Sequence, residues 1–212
     1  MADKIGWHFD KHTRIVSDIN EHLPTLCRYA AKCEVIAELG VRGIVSTWAF
    51  LQGLTENNSD KKELLCVDIE KIDMTETIAI AEEASIDLTF FNENSATVEF
   101  GKNVDLLFID TWHIYGHMKR ELNFHHARVN KYIIMHDTTV DAVQGSTLRC
   151  GPWEPGGLKV MLERELAMSG YPVEEICNGV WPAIEEFLAE HPEWKILEKM
   201  ENNNGLTVLH KA

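Results

Sequence analysis

The sequence predicts an α/β fold with a mostly parallel sheet, helices on both faces and an antiparallel hairpin at its end. Three observations predict it. Short apolar runs of strand length alternate with segments of helical period over the first 136 residues. Those runs are nearly continuous in apolar character, as strands covered on both faces are. The last two runs are joined by Glu201-Asn202-Asn203-Asn204-Gly205, and an Asn-Gly connection marks a hairpin.

The elements follow in order. Ile15 to Ala31 has helical spacing, with Pro24 as its one awkward residue. Glu34 to Leu39 is a buried strand ending at Gly40, and Ser46 to Leu54 is a helix opened by a hydroxyl residue. Glu63 to Asp68, Ile86 to Phe91, Val104 to Asp110 and Lys131 to His136 are the further strands. Thr75 to Ala84 and Ile114 to Arg128 are helices. Val140 to Gly157 reads as a long loop on the same rim as the strand ends, and loops of that length are often functional. Helices near Leu158–Ser169 and Pro182–Glu190 precede the strands Trp194–Met200 and Leu206–His210. No linker or repeat divides the chain, so a single domain over 1–212 is expected, with 1–19 as an N-terminal extension.

Composition narrows the function. The chain has 212 residues, 45% of them hydrophobic, which suffices for a sizeable core. Net charge is -14, from 20 Lys+Arg against 34 Asp+Glu, the wrong sign for wrapping nucleic acid. No apolar run reaches the ~20 residues that span a bilayer, and the first residues lack a signal-type apolar stretch. Five cysteines without CxxC spacing argue against a disulfide framework and a zinc ribbon, and for a reducing, cytoplasmic setting. Homo-oligomerisation is left open.

Chemistry-bearing residues collect at predicted strand ends. Glu38-Leu39-Gly40-Val41-Arg42-Gly43 leads from a strand into the helix at Ser46, where α/β sheets bind ligands. A tight turn without a ligand would read the same way, and the GxGxxG dinucleotide fingerprint is absent. Asp68 ends the second strand, placed either for ribose hydroxyls or as a helix cap. Asp110-Thr111-Trp112-His113 and His136-Asp137-Thr138-Thr139 end neighbouring strands. Asp110 and Asp137 could share a hard divalent cation. His113 is placed to take a proton from a hydroxyl, or to pack the following helix. His117 lies one helical turn on, whereas His125 and His126 are expected at the surface. Trp48 is expected in the core, and Arg149 and Trp153 are candidate substrate contacts in the long loop.

With these residues in view, the sequence resembles the class I S-adenosylmethionine-dependent methyltransferases. The resemblance covers the chain from about Asn20 onward. It implies a Rossmann-like methyltransferase fold with a seven-stranded sheet. The segment ELGVRG with Ser46 is similar to that family's first motif and implies cofactor contacts at Glu38, Gly40, Arg42 and Ser46, although Ile44 or Val45 stands where a third small residue is usual. Asp68 matches the ribose-holding acid, and Asn94 and Ser95 fall in the adenine-side loop, Asn94 standing where an acid is common. The segments VDLLFIDTWHIYGHMKREL and YIIMHDTT resemble the subgroup that methylates hydroxyls of sugars and other small molecules, including macrolide-sugar and viral glycan methyltransferases. Some relatives carry a cephalosporin-hydroxylase label. Asp110-Thr111-Trp112-His113 is also similar to the Asp-x-Trp-Lys segment of catechol-type O-methyltransferases. That match implies Asp110, Asp137 and Thr138 as ligands of Mg²⁺ or Mn²⁺, with Thr138 standing where those enzymes have Asn. It puts His113 in the base position beside Asp110.

The implied activity is transfer of a methyl group from S-adenosyl-L-methionine to a hydroxyl of a sugar or glycan acceptor, with His117, His136, Arg149 and Trp153 toward the acceptor. Three other readings remain open. One is a non-haem iron oxygenase using Asp110, His113 and His136. Another is a nicotinamide oxidoreductase, and the third a cofactor-binding scaffold without catalysis.

Overall fold

Five parallel strands carry the continuous apolar runs. They are β1 (Val35–Leu39), β2 (Glu63–Val67), β3 (Asp87–Phe91), β4 (Val104–Ile109) and β5 (Val129–His136). The computed structural model describes residues 3–212. β6 (Trp194–Met200) and β7 (Leu206–Lys211) complete one sheet of order β3-β2-β1-β4-β5-β7-β6, with β7 antiparallel to both of its neighbours. Asn203, Asn204 and Gly205 take φ of 44°, 69° and 96°, the left-handed conformations the hairpin turn demands.

Every residue of β1 and β4 is buried, because helices cover both faces. Alternate strand residues divide between two core layers. Leu64, Cys66, Leu106 and Phe108 meet Leu26, Phe50, Leu51 and Leu54 on one face. Leu65, Val67, Leu107 and Ile109 meet Met118, Leu122, Ile184 and Phe187 on the other. The first layer belongs to helices α1 (Lys4–Arg14), α2 (Leu23–Ala30), α3 (Ser46–Glu56) and α4 (Thr75–Glu83). The second belongs to α5 (Tyr115–His125) and α9 (Trp181–Glu190), with α6 (Ser146–Cys150), α7 (Gly157–Ser169) and α8 (Val173–Cys177) between them in sequence.

The N-terminal region departs from expectation. Residues 4–14, read as part of an extension, form α1. It is capped by the Asp3 carboxylate, which accepts from the Gly6 N–H at 2.8 Å, and it is seated by buried Ile5 and by His8 stacked on Trp48 at 3.8 Å. Trp48 lies in the core, as expected. The single helix expected over 15–31 is broken. A 3₁₀ turn at Asn20–His22 precedes α2, and Pro24 falls in its first turn, where the missing N–H costs nothing. α5 stops at His125 instead of Arg128, and a 3₁₀ turn at His126–Arg128 leads into β5. The long loop after β5 holds α6 and a 3₁₀ turn at Gly151–Trp153.

The strand order reverses between β1 and β4. The chain leaving β1 runs to α3 on one face and the chain leaving β4 runs to α5 on the other, and between them lies the crevice in which α/β sheets place ligands.

Candidate active site

Gly40 and Asp110 stand side by side at that crevice. The Asp110 N–H donates to the Leu39 carbonyl at 2.9 Å, and a Cβ on Gly40 would lie 1.9 Å from the Asp110 carbonyl oxygen. With φ at +89°, Gly40 is required on both counts. The turn beyond it is strained, with Arg42 at φ 23° and Ile44 at φ 55°. One oxygen of Asp68 holds it, accepting from the N–H groups of Val41 and Arg42, both at 2.9 Å. The other accepts from the Glu70 N–H at 2.9 Å.

Glu38 lies beneath the turn, fully buried. It accepts hydrogen bonds from Ser46 (2.5 Å), Thr47 (2.8 Å) and the Cys66 thiol (3.3 Å). Burial pushes its carboxyl up to about 7, with these donors pulling the other way. Glu38, expected as a cofactor contact, is thus a support of the turn and lies outside the cleft lining. Ser46 reaches the lining, but its hydroxyl is spent on Glu38.

The cleft has a volume of about 1490 Å³. The 40–43 turn, Asp68, Asn94 to Thr97 and Asp110 to His113 form one wall, and Arg164, Glu165, Met168 and Tyr171 form another. Sequence reasoning gave no sign of the second wall, because α7 carries no motif and its place depends on how residues 140–180 fold back. Trp112 and Tyr171 stack at 5.9 Å, and the Arg120 guanidinium covers the Tyr171 ring at 3.9 Å. His117 lines the same wall. Its Nε2 is 3.0 Å from Ser95 Oγ and 3.3 Å from Glu121 Oε1, and its Nδ1 is 3.3 Å from the Tyr171 hydroxyl. Burial would raise the enclosed Glu121 carboxyl, but His117, Ser95 and Thr111 hold it below its ordinary value.

Asp110 and His113 line the end of the cleft, and buried Asp137 meets them from behind the lining. His113 Nε2 is 3.0 Å from Asp110 Oδ1, and His113 Nδ1 is 2.8 Å from Asp137 Oδ2. Burial would lower the His113 imidazole, yet the two carboxylates lift it to about 10. Both ring nitrogens therefore carry protons at neutral pH, and the ring bridges the aspartates as a cation. The expected free base at His113 is not what this arrangement presents. Asp110 and Asp137 are correspondingly held below the ordinary carboxylate range, burial notwithstanding.

Two further observations suit a cation here. One ligand atom from each of Asp110, His113 and Asp137 lies within 4.8 Å of the others. Asp137 Oδ1 is buried without a hydrogen-bond partner, on a residue strained to φ 56°. Two carboxylates and one imidazole suit Mg²⁺ or Mn²⁺ better than a two-His facial triad would. Thr138 is not part of the group, because its hydroxyl accepts from Thr207 at 2.9 Å.

Several expected contacts lie elsewhere. His136 is buried behind the cleft, with Nε2 3.1 Å from the carbonyls of Asp18 and Asn203 and Nδ1 3.3 Å from Asp110 Oδ1. It buttresses Asp110 and is outside the cleft lining. Arg149 grips the fully buried Asp141 through two bonds of 2.6 and 2.7 Å, and Asp141 Oδ2 lies 3.6 Å from His113 Nδ1. Trp153 is 88% exposed, and neither it nor Arg149 lines the cleft. His125, expected at the surface, is buried, its Nε2 2.7 Å from the Ser95 carbonyl.

Solved structures share this architecture. An O-methyltransferase from Bacillus cereus in complex with SAH superposes with a TM-score of 0.57 at 11% identity, covering 100% of this chain and 92% of that one. The SAH-bound methyltransferase PaMTH1 of Podospora anserina gives 0.53 at 18% identity, covering 100% and 89%. The N-methyltransferase NodS of Bradyrhizobium japonicum, with S-adenosyl-L-homocysteine, gives 0.54 at 10%, covering 98% of each chain.

The chain has a Rossmann-like methyltransferase fold.

No family model and no curated protein matches the sequence. Structures of this methyltransferase fold include both O- and N-methyltransferases, so the acceptor atom has to be argued from the site. No helix among the described residues is long and apolar enough to cross a membrane.

Proposed function

We propose that the chain is an S-adenosylmethionine-dependent O-methyltransferase acting on a hydroxyl of a sugar or sugar-bearing small molecule, with a divalent cation at Asp110, Asp137 and His113. The observation that carries this reading is the meeting of those three residues at the switch point, beside the Gly40 turn.

The lining suits a nucleoside-bearing sulfonium. Asp68 Oδ2 spends both lone pairs on the Val41 and Arg42 N–H groups, but Oδ1 accepts only from the Glu70 N–H, so one acceptor position remains for a ribose hydroxyl. The Gly40 and Gly43 backbone allows close approach, and Asn94 and Ser95 offer polar groups to a base. The acidic rim favours a positive ligand.

Bound S-adenosylmethionine supplies an electrophilic methyl group: the C–S bond breaks as the C–O bond forms, and S-adenosylhomocysteine leaves. The chain must hold the acceptor oxygen roughly 3–3.5 Å from that carbon, and its hydroxyl proton must be removed. A divalent ion on the two aspartates would lower the pKa of the hydroxyl it touches, so that its proton could pass to water. His113 would be the third ligand to such an ion, and would release a ring proton to solvent to become one. Arg149 fixes Asp141 against His113, and His136 fixes Asp110, so the group keeps its geometry. An iron oxygenase built on Asp110, His113 and His136 fits less well. The group that gathers is one imidazole with two carboxylates, and His136 turns Nε2 to backbone carbonyls.

The test is transfer of labelled methyl from S-adenosylmethionine to a panel of free and nucleotide-linked sugars, with and without chelator. Transfer to a sugar hydroxyl, stimulated by Mg²⁺ or Mn²⁺, is expected. Full rate after exhaustive chelation would remove the cation, and failure to bind S-adenosylhomocysteine would remove the whole reading.

A further inference from the structure

A second group of metal-ligating side chains lies away from the cleft. His126 sits in the 3₁₀ turn that enters β5, and His191 and Glu193 sit in the turn between α9 and β6. These turns border the amino-terminal ends of β5 and β6, whereas the cleft lies at the carboxyl ends of β1 and β4. The two imidazole rings face each other at 3.9 Å, and His191 Nδ1 lies 3.6 Å from Glu193 Oε1. One ligand atom from each of the three residues falls within 4.8 Å of the others. Among the described residues, neither imidazole has a hydrogen-bond partner, so its nitrogen lone pairs are not committed to the fold.

The backbone beneath is fixed. The His191 N–H donates to the Phe187 carbonyl at 2.9 Å, and the Trp194 N–H donates to the His191 carbonyl at 3.0 Å. The Val129 N–H donates to the His126 carbonyl. Phe187, itself buried, packs its ring 5.5 Å from His126 and 4.8 Å from His191, and forms an apolar floor under the pair. Glu193 is 41% exposed and closes the open side.

We propose that His126, His191 and Glu193 form a binding site for a divalent transition metal of the zinc type. Two imidazoles and a carboxylate are the donor set such ions take, with water in the fourth position. Mg²⁺ and Ca²⁺ prefer all-oxygen surroundings and are poor occupants. The bound ion ties the end of α5 to the start of β6, two segments 65 residues apart, taken as 191 minus 126. It acts as a structural clasp on the face remote from the cleft, and it is independent of the proposed methyl transfer.

Zinc titration of the full chain by calorimetry, in excess Mg²⁺, tests this. The wild type is expected to bind one Zn²⁺ at this site and to gain thermal stability from it. His126→Ala and His191→Ala should each weaken that binding at least about tenfold and abolish the gain. Glu193→Gln should weaken it less, and Asp137→Asn should leave it intact. All three residues are at the surface or half-buried, and circular dichroism checks that the variants fold. Zinc binding unchanged in both His variants, zinc lost only in Asp137→Asn, or no zinc bound by the wild type would each overturn the proposal.

Discussion

Gly40 has no room for a side chain, and this sets the register of the site. A Cβ there would strike the Asp110 carbonyl at 1.9 Å and would have to hold a left-handed φ of +89°. Gly40→Ala should cost at least about 1–3 kcal/mol in urea unfolding, and it should weaken S-adenosylhomocysteine binding because Asp110 moves with it. His113→Ala leaves the Gly40 turn and Asp68 untouched. As loss of a proposed cation ligand, it should lower methyl transfer by at least about 10-fold while S-adenosylhomocysteine binding, read by calorimetry, is retained. Equal turnover in wild type and variant would take His113 out of the mechanism.

The helices that hold the first core layer meet as closely as backbones allow. Gly53 of α3 rests on α2, where a Cβ would come within 2.4 Å of Ala30 Cβ and 2.5 Å of the Cys27 carbonyl oxygen. Gly53→Ala should therefore destabilise by about 1–3 kcal/mol through overpacking, although alanine is the better helix former. A raised urea midpoint would show that α2 can shift without cost. Element type was legible wherever the apolar pattern was long, as in β1, β4 and α3. Where it failed, the cause was local. Pro24 opened a helix that periodicity had drawn straight through it, and α1 is polar in overall composition and buries only Ile5, so no apolar run marked it.

Across the whole molecule, the buried charges set a pH dependence. His113 is lifted from 6.5 to about 10 in the metal-free fold, so the stability it lends is complete below pH 6.5 and is lost as pH rises through 10. Asp110 and Asp137 are lowered, so their contribution is present above their ordinary range and is lost in acid. Glu38 is raised from 4.5 to about 7, so its contribution is complete below 4.5 and fades as pH climbs through 7. Urea midpoints of the chelated protein should fall from pH 6.5 to 10, and His113→Gln should shrink that fall, to which His136, also raised despite its burial by the two aspartates, contributes the remainder. Glu38→Gln should flatten the decline between 4.5 and 7. A wild-type profile that rises over pH 6.5 to 10 would contradict the bridging imidazolium.

The seven strands, the longer helices between them and the residues standing at the strand tips were readable from the chain alone, whereas α1, α6 and α8 were not. Backbone preference and apolar period act over a few residues, so Gly40, Asp68, Asp110, His113 and Asp137 could be placed on one rim from their positions after apolar runs. Which atoms those side chains engage depended on folding. Arg149 closes on Asp141 instead of a substrate, and His125 turns inward to Ser95. His136 reaches back to Asp18, a residue 118 positions away. Such pairings arise when the segment after β5 folds back onto the sheet, as where Ser146 N–H meets the His113 carbonyl at 2.9 Å. They depend on long-range packing and on the burial of polar groups that must find partners, and no local pattern records that.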